Sequence, residues 1–100
     1  MSSHLYLGLD QDTIGTGAIL FDEKLQAVSR GYQEVPVLYP RLGWAEHDPE
    51  AVWSSALAAT KQALENIGAD AASILSVGVD HEGESVVIWE RKTGKPIYNA

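Results

Sequence analysis

The stretch DQDTIGTGAILFD, residues 10–22, follows a short apolar run and gathers residue types that suit phosphate chemistry. Asp10 closes the apolar run, and Gln11, Thr13, Gly15, Thr16 and Gly17 follow it. A carboxylate there can hold a Mg2+–phosphate complex, while hydroxyls and backbone amides can meet phosphate oxygens. Asp12 stands in the middle of the loop, where an anion repels a phosphate. The spacing is neither a Walker A loop nor a dinucleotide fingerprint. On local pattern alone, a hairpin whose Asp and Gly residues serve only turn geometry accounts for it better.

Two further stretches carry chemistry-bearing residues. VDHEGES, residues 79–85, crowds Asp80, His81, Glu82 and Glu84 around Gly83, just past a second apolar run. A carboxylate at a strand's carboxyl end is placed to bind a small polar ligand. No second histidine stands at metal-ligand spacing, so a solvated acidic turn explains this pattern at least as well. YPRLGWAEHDPEAVW, residues 39–53, reads as a loop with an aromatic staple that leads into a capped helix, and structure alone accounts for it.

Elements that would position these residues follow from periodicity and punctuation. Residues 5–10 read as a mostly buried strand, 17–22 as a second and 25–35 as a third, with a turn at Asp22-Glu23-Lys24. Residues 36–48 carry two prolines and a glycine and read as a loop. A helix is predicted over 49–67: Asp48 is the N-cap, Pro49 sits at N1, Glu50 favours the positive end of the dipole, and Gly68 ends the helix. Its apolar stripe is expected to be Val52, Trp53, Ala56, Leu57, Ala63, Leu64 and Ile67. Residues 74–80 read as a short buried strand, 85–89 as another, 92–95 as a turn and 96–98 as a further extended piece. The order β-β-β-α-β-β implies an α/β mixed sheet with a helix on at least one face. The chain stops at IYNA directly after a strand-like piece, which is expected of a cut through a larger domain.

Composition narrows the function classes. The 100 residues are 45% hydrophobic and 21% charged, with net charge −7, mean hydropathy −0.11 and pI near 4.7. That is a globular domain, one at most. Its seven Lys and Arg form no cluster, so neither nucleic acid nor an anionic membrane is an expected partner. No apolar run is long enough to span a bilayer, and the first ten residues lack the layout of a secretory leader. Cysteine is absent, which excludes disulfides and thiolate metal sites and fits a cytoplasmic protein.

Taken together, the three stretches resemble the FGGY carbohydrate kinases, and within them the glycerol kinases. Against the family's D-Q-G-T-T-S-S-R-A-I-L-F-D stands DQDTIGTGAILFD. Against Y-P-x-x-G-W-V-E-H-D-P-E-x-I-W stands YPRLGWAEHDPEAVW, and against N-Q-R-E-T-x-x-x-W-x-x-x-T-G-x-P-x-Y-N-A stands DHEGESVVIWERKTGKPIYNA. The resemblance covers nearly the whole chain, with three motifs in the same order.

The resemblance implies an actin-like, ribonuclease-H-like fold, of which this chain is the N-terminal part of the first domain. It implies ATP- and Mg2+-dependent phosphorylation of a small polyol or sugar in a cleft between two domains, with self-association of the full-length protein left open. Asp10 matches the family's Mg2+-associated aspartate, Gln11 and Thr13 its phosphate loop, and Glu84 the glutamate that binds substrate hydroxyls. No catalytic residue is expected within the chain, because the general-base aspartate, the adenine pocket and the second domain lie beyond Ala100. The 100 residues alone are therefore expected to be inactive. Four positions depart from the family pattern: Asp12 for glycine, Ile14 for threonine, Gly17 for arginine and Gly83 for the substrate-binding arginine. The phosphate loop so loses positive charge, and the vacated arginine volume suits a substrate larger than glycerol. The alternative is a catalytically silent relative, kept as a binding or regulatory module.

Overall fold

The computed structural model describes residues 4–100; the first three residues, part of the stretch read for a leader, lie outside it. Strands β1 (Leu5–Gln11), β2 (Gly15–Phe21) and β3 (Ala27–Glu34) form an antiparallel meander. Helix α1 (Pro49–Asn66) and a short 3-10 turn (Ala71–Ser73) then lead to β4 (Ile74–Asp80), which lies parallel to β1. The sheet order is β3-β2-β1-β4. A crossover helix is what a parallel β1–β4 pair requires.

Local signals at the helix ends act as expected. Asp48 has extended backbone (φ −76°, ψ 117°), and its carboxylate accepts from the Glu50 amide at 3.0 Å. At the far end Gly68 takes φ +61°. The Ala69 amide then donates to the Leu64 carbonyl at 2.9 Å and the Gly68 amide to that of Glu65 at 3.2 Å, a Schellman closure. The β2–β3 turn is held by Asp22, whose carboxylate accepts from the Lys24 and Gln26 amides at 2.9 and 3.0 Å.

Leu5, Leu7, Ala18 and Leu20 of the sheet pack on Ala59, Ala63 and Leu64 of α1. Full burial of Leu20 alone contributes about 1.5–3 kcal/mol. The helix buries mostly small residues: Ala63 and Leu64 of the expected stripe do face the core, together with Ser55 and Ala59, whereas Trp53, Leu57 and Ile67 of that stripe are exposed. Gly31 on β3 is the reason. A Cβ built there would lie 2.0 Å from the Ala59 carbonyl oxygen, so strand and helix backbones touch and only small side chains fit between them. Three hydrogen bonds hold this approach: Ser29 Oγ to the Ala63 carbonyl at 2.6 Å, Gln62 Oε1 from the Tyr32 amide at 2.7 Å, and Asn66 Nδ2 to the Arg30 carbonyl at 3.1 Å.

Two expectations about strands are corrected. The strand at 74–80 is an edge strand and is exposed, not buried, because α1 lies over β2 and β3 and leaves Leu75, Val77 and Val79 bare. Residues 85–89 form no strand: a single bridge joins Trp89 to Pro96 around the turn at Gly94 (φ +74°), and Val86 and Ile88 face solvent. The run folds back on residues 95–97 and adds no strand to the sheet, so the observed order is β-β-β-α-β. Residues 36–48 form a loop as expected, with one bridge, Leu38 to Glu46, across it.

Candidate phosphate-loop site

Pleating decides which of the loop residues act together. In the β1–β2 register Asp10 stands opposite Gly17, and in the β1–β4 register it stands opposite Asp80. Tyr32 of β3 is opposite Gly17 in turn. One row across four strands therefore reads Asp80, Asp10, Gly17, Tyr32, on the face turned away from α1. Asp10, Asp12, Gly17, Arg30 and Tyr32 line a groove of about 430 Å3 there, whose rim at the β3 edge is reached by Gln62 and Asn66. Gln11 is one residue on and points to the opposite face. Its amide Nε2 donates to the Asp12 carbonyl at 2.7 Å, so it braces the loop.

Asp12 organises the hairpin turn. Its Oδ1 accepts from the Ile14 amide at 2.9 Å and the Gly15 amide at 2.8 Å, and its own amide donates to the Gly15 carbonyl at 2.9 Å. The turn-geometry reading thus holds for this residue, and its charge is spent partly on backbone donors. Gly15 is required by crowding, since a Cβ would meet the Gln33 carbonyl oxygen at 2.4 Å. At Gly17 a Cβ would meet only Tyr32 Cδ1 at 3.8 Å and the Asp10 carbonyl at 3.9 Å, so the position where the family pattern has arginine is open.

Thr13, at the tip, is tied to two remote segments. Its hydroxyl donates to Glu82 Oε1, and its carbonyl lies 2.9 Å from Nε2 of the buried His47. His47 exchanges two backbone hydrogen bonds of 2.8 Å with Ala100. Next to it the buried Glu46 accepts from Asn99 Nδ2 at 3.0 Å, and its carboxylate raises the pKa of the Tyr98 phenol. The WAEHD stretch is therefore an anchor that pins the chain's last residues under the loop.

Electrostatics in the groove favour donors as well as carboxylates. Desolvation, then the carboxylates of Asp12, Glu34 and Asp10, push the Tyr32 phenol above its ordinary value. The hydrogen bond from Thr13, helped by Ser85 and His47, holds Glu82 below the ordinary carboxylate range against burial and Asp12. Glu84 lies in an exposed turn and its side chain has no hydrogen bond or ion pair among the described residues. Among those residues no three His, Asp or Glu side chains converge as a ready-made metal site. Glu82 and His47, which hold the loop tip, carry no signal in spacing or type that separates them from solvated neighbours.

The model of the FGGY family of carbohydrate kinases, N-terminal domain, matches residues 5–100. The chain belongs to the FGGY family. A glycerol kinase from Marinomonas sp. (strain MWYL1) is 45% identical over 98 residues, 98% of this chain and 20% of that protein. One from Sinorhizobium fredii is 45% identical over 94 residues, 94% of this chain and 19% of its own. This FGGY chain thus spans about a fifth of the length of the curated relatives it matches. Among solved structures, a xyloylose kinase from Brucella ovis superposes with TM-score 0.87 at 25% identity, over 96% of this chain and 20% of that one. Plasmodium falciparum glycerol kinase with ADP gives 0.80 at 29% identity, over 96% and 19%. The β-β-β-α-β order is accordingly the N-terminal portion of the actin-like, ribonuclease-H-like architecture of FGGY kinases.

Proposed function

We propose that this FGGY chain is the N-terminal part of the first domain of a cytoplasmic kinase that transfers a phosphoryl group from ATP, with Mg2+, to a hydroxyl of a polyol or sugar. The observation that carries the reading is the placement of Asp10: exposed, at the carboxyl end of β1, beside a tight hairpin and facing a polar groove. Mg2+ takes one or two protein carboxylates and completes its shell with phosphate oxygens and water, so a strand-end aspartate fits the ion without a three-residue cluster. When bound, the Mg2+–ATP complex supplies the phosphoryl group and neutralises its charge.

The chain's own residues bind and orient. Asp10 holds the cation. Gln11 fixes the Asp12 carbonyl and Asp12 fixes the amides of Ile14 and Gly15, which sets the loop's shape before a ligand arrives. Thr13 presents the loop tip, and the protonated Tyr32 offers a donor into the groove. Glu84, with no internal partner, is available to accept from substrate hydroxyls, each such charge-assisted bond being worth about 1.5–3 kcal/mol. The bare strip formed by Trp53, Leu57, Val77 and Val79 suits burial under chain beyond these residues.

One observation favours the silent-module reading instead. Among the described residues, Arg30 is the only cation lining a groove that holds both Asp10 and Asp12. Assay of the complete protein with Mg2+–ATP against three- to five-carbon polyols and sugars separates the two. Turnover is expected, with kcat/KM higher for four- or five-carbon substrates than for glycerol, and Gly83→Arg is expected to improve glycerol. Absence of turnover across the panel refutes the kinase reading. Glycerol as the best substrate, unimproved by Gly83→Arg, refutes the enlarged pocket.

A further inference from the structure

Thr13 and Glu82 are 69 residues apart in the chain and meet through side chains. Of the four titratable residues at 80–84, Glu82 is the one whose side chain reaches another element by a hydrogen bond. Its two oxygens are both used: Oε1 accepts from the Thr13 hydroxyl, and Oε2 accepts from Ser85 Oγ at 3.0 Å. Its main-chain carbonyl lies 3.2 Å from His81 Nδ1, which stiffens the same turn. The turn that Glu82 organises is the one that carries Gly83 and Glu84.

We infer that Glu82 is a positioning residue: its carboxylate latches the phosphate loop, through Thr13, to the turn that presents Glu84, so one contact sets the spacing between the nucleotide end and the substrate end of the site. The inference rests on the proposed kinase reading. A hydroxyl has one proton to donate, and Thr13 gives its proton to Glu82. In the latched state Thr13 therefore serves the site by fixing the loop tip, and its hydroxyl is not a phosphate donor. Ionised Glu82 makes this a charge-assisted bond, stronger than a neutral one. His47 Nε2 on the Thr13 carbonyl is a second restraint on the tip, so loss of Glu82 frees one of two tethers and is not expected to unfold the hairpin.

The test uses the complete protein and the variants Glu82→Ala, Glu82→Gln, Thr13→Val and Glu82→Ala/Thr13→Val. Glutamine keeps an amide oxygen that accepts from Thr13, so Glu82→Gln is expected to behave nearly as the parent. Glu82→Ala and Thr13→Val are each expected to raise KM for ATP roughly three- to tenfold, the size of one exposed hydrogen bond. The double variant is expected to be no worse than either single one. Backbone amide exchange at residues 13–15, measured without nucleotide, is expected to speed up in Glu82→Ala and not in Glu82→Gln. Unchanged exchange in Glu82→Ala overturns the latch, whether or not the parent turns over any substrate. Faster exchange with kcat and KM for ATP unchanged overturns the positioning role and leaves a structural tie. A parent that phosphorylates nothing refutes the kinase reading, and with it the positioning role, while the exchange data still judge the latch itself.

Discussion

Replacing Gly31 by alanine puts one methyl group where strand and helix backbones already touch. The new Cβ would lie 2.0 Å from the Ala59 carbonyl oxygen, 3.0 Å from the Ala59 carbonyl carbon and 3.1 Å from the Ala63 nitrogen. The first of these is a full ångström inside the 3.0 Å floor of real Cβ contacts, and all three atoms are backbone. No rotamer change relieves such a clash, so α1 must retreat from β3. Retreat lengthens the bonds at 2.6, 2.7 and 3.1 Å that tie Ser29, Tyr32 and Arg30 to the helix. Overpacking costs about 1–3 kcal/mol, and each weakened bond adds up to about 1 kcal/mol. Gly31→Ala is thus expected to cost about 3 kcal/mol or more, a large share of a domain's total stability of about 5–15 kcal/mol. Urea unfolding of the parent, Gly31→Ala and Gly17→Ala provides the assay. At Gly17 the nearest atoms lie at 3.8 and 3.9 Å, so alanine there is expected to be neutral or to stabilise by up to about 1 kcal/mol through the unfolded state. Ala59→Gly should not rescue Gly31→Ala, because the obstructing atom is the carbonyl, and a helical glycine costs about 1 kcal/mol more. A Gly31→Ala variant within about 0.5 kcal/mol of the parent would refute the close-contact argument.

Asp12 separates charge from turn geometry. Asp12→Asn keeps an oxygen for the Ile14 and Gly15 amides and is expected to tighten ATP binding at low Mg2+ about fivefold, the scale of two like charges about 4 Å apart in water. Asp12→Gly loses both bonds and is expected to gain less; weaker binding in Asp12→Asn would instead make Asp12 a metal-associated ligand. For Glu82 the folded pKa lies below the ordinary value of 4.5, so its stabilisation is full above that value and fades as pH falls through the folded pKa. Thermal melts should therefore show only a small Tm deficit of Glu82→Gln near neutral pH, the charge-assisted part of its two bonds, which closes in acid; a deficit that widens in acid contradicts the assignment.

How much of this was legible in the sequence depends on how far apart the interacting residues lie. Asp48, Pro49 and Gly68 mark the helix ends because capping is settled within a few residues. The β1–β2 hairpin and its acidic, glycine-rich turn were legible for the same reason. The buried face of α1 was legible only in part: the apolar stripe holds Ala63 and Leu64, which are buried, but also Trp53 and Leu57, which are not, whereas Ala59 is selected by contact with Gly31 and Ser55 by its hydrogen bond to Thr16. Val86 and Ile88 read as a strand by composition, but this run folds back on itself at the Trp89–Pro96 bridge and does not join the exposed edge at β4, and no local pattern reveals that choice. Exposure of β4 followed from where α1 sits, a tertiary outcome. The place of Asp10 near the carboxyl end of β1 was legible from the apolar run before it. The bond of Glu82 depends on a partner 69 residues away, which no local pattern shows, and the family resemblance pointed to Glu84 instead.

The central claim is that Asp10 is the residue on which Mg2+–nucleotide use depends, and Asp10→Asn in the complete protein tests it most directly. Asp10 is exposed and its side chain makes no hydrogen bond among the described residues, so the fold does not need its charge. ADP formation with saturating polyol or sugar and a Mg2+ titration, read beside a thermal melt, gives both quantities from one preparation. The account predicts a fall in turnover of about a hundredfold or more, the scale for losing a preorganised electrostatic contact, with Tm nearly unchanged. Retained turnover with a large drop in Tm would contradict it and would make Asp10 a residue of the hairpin alone.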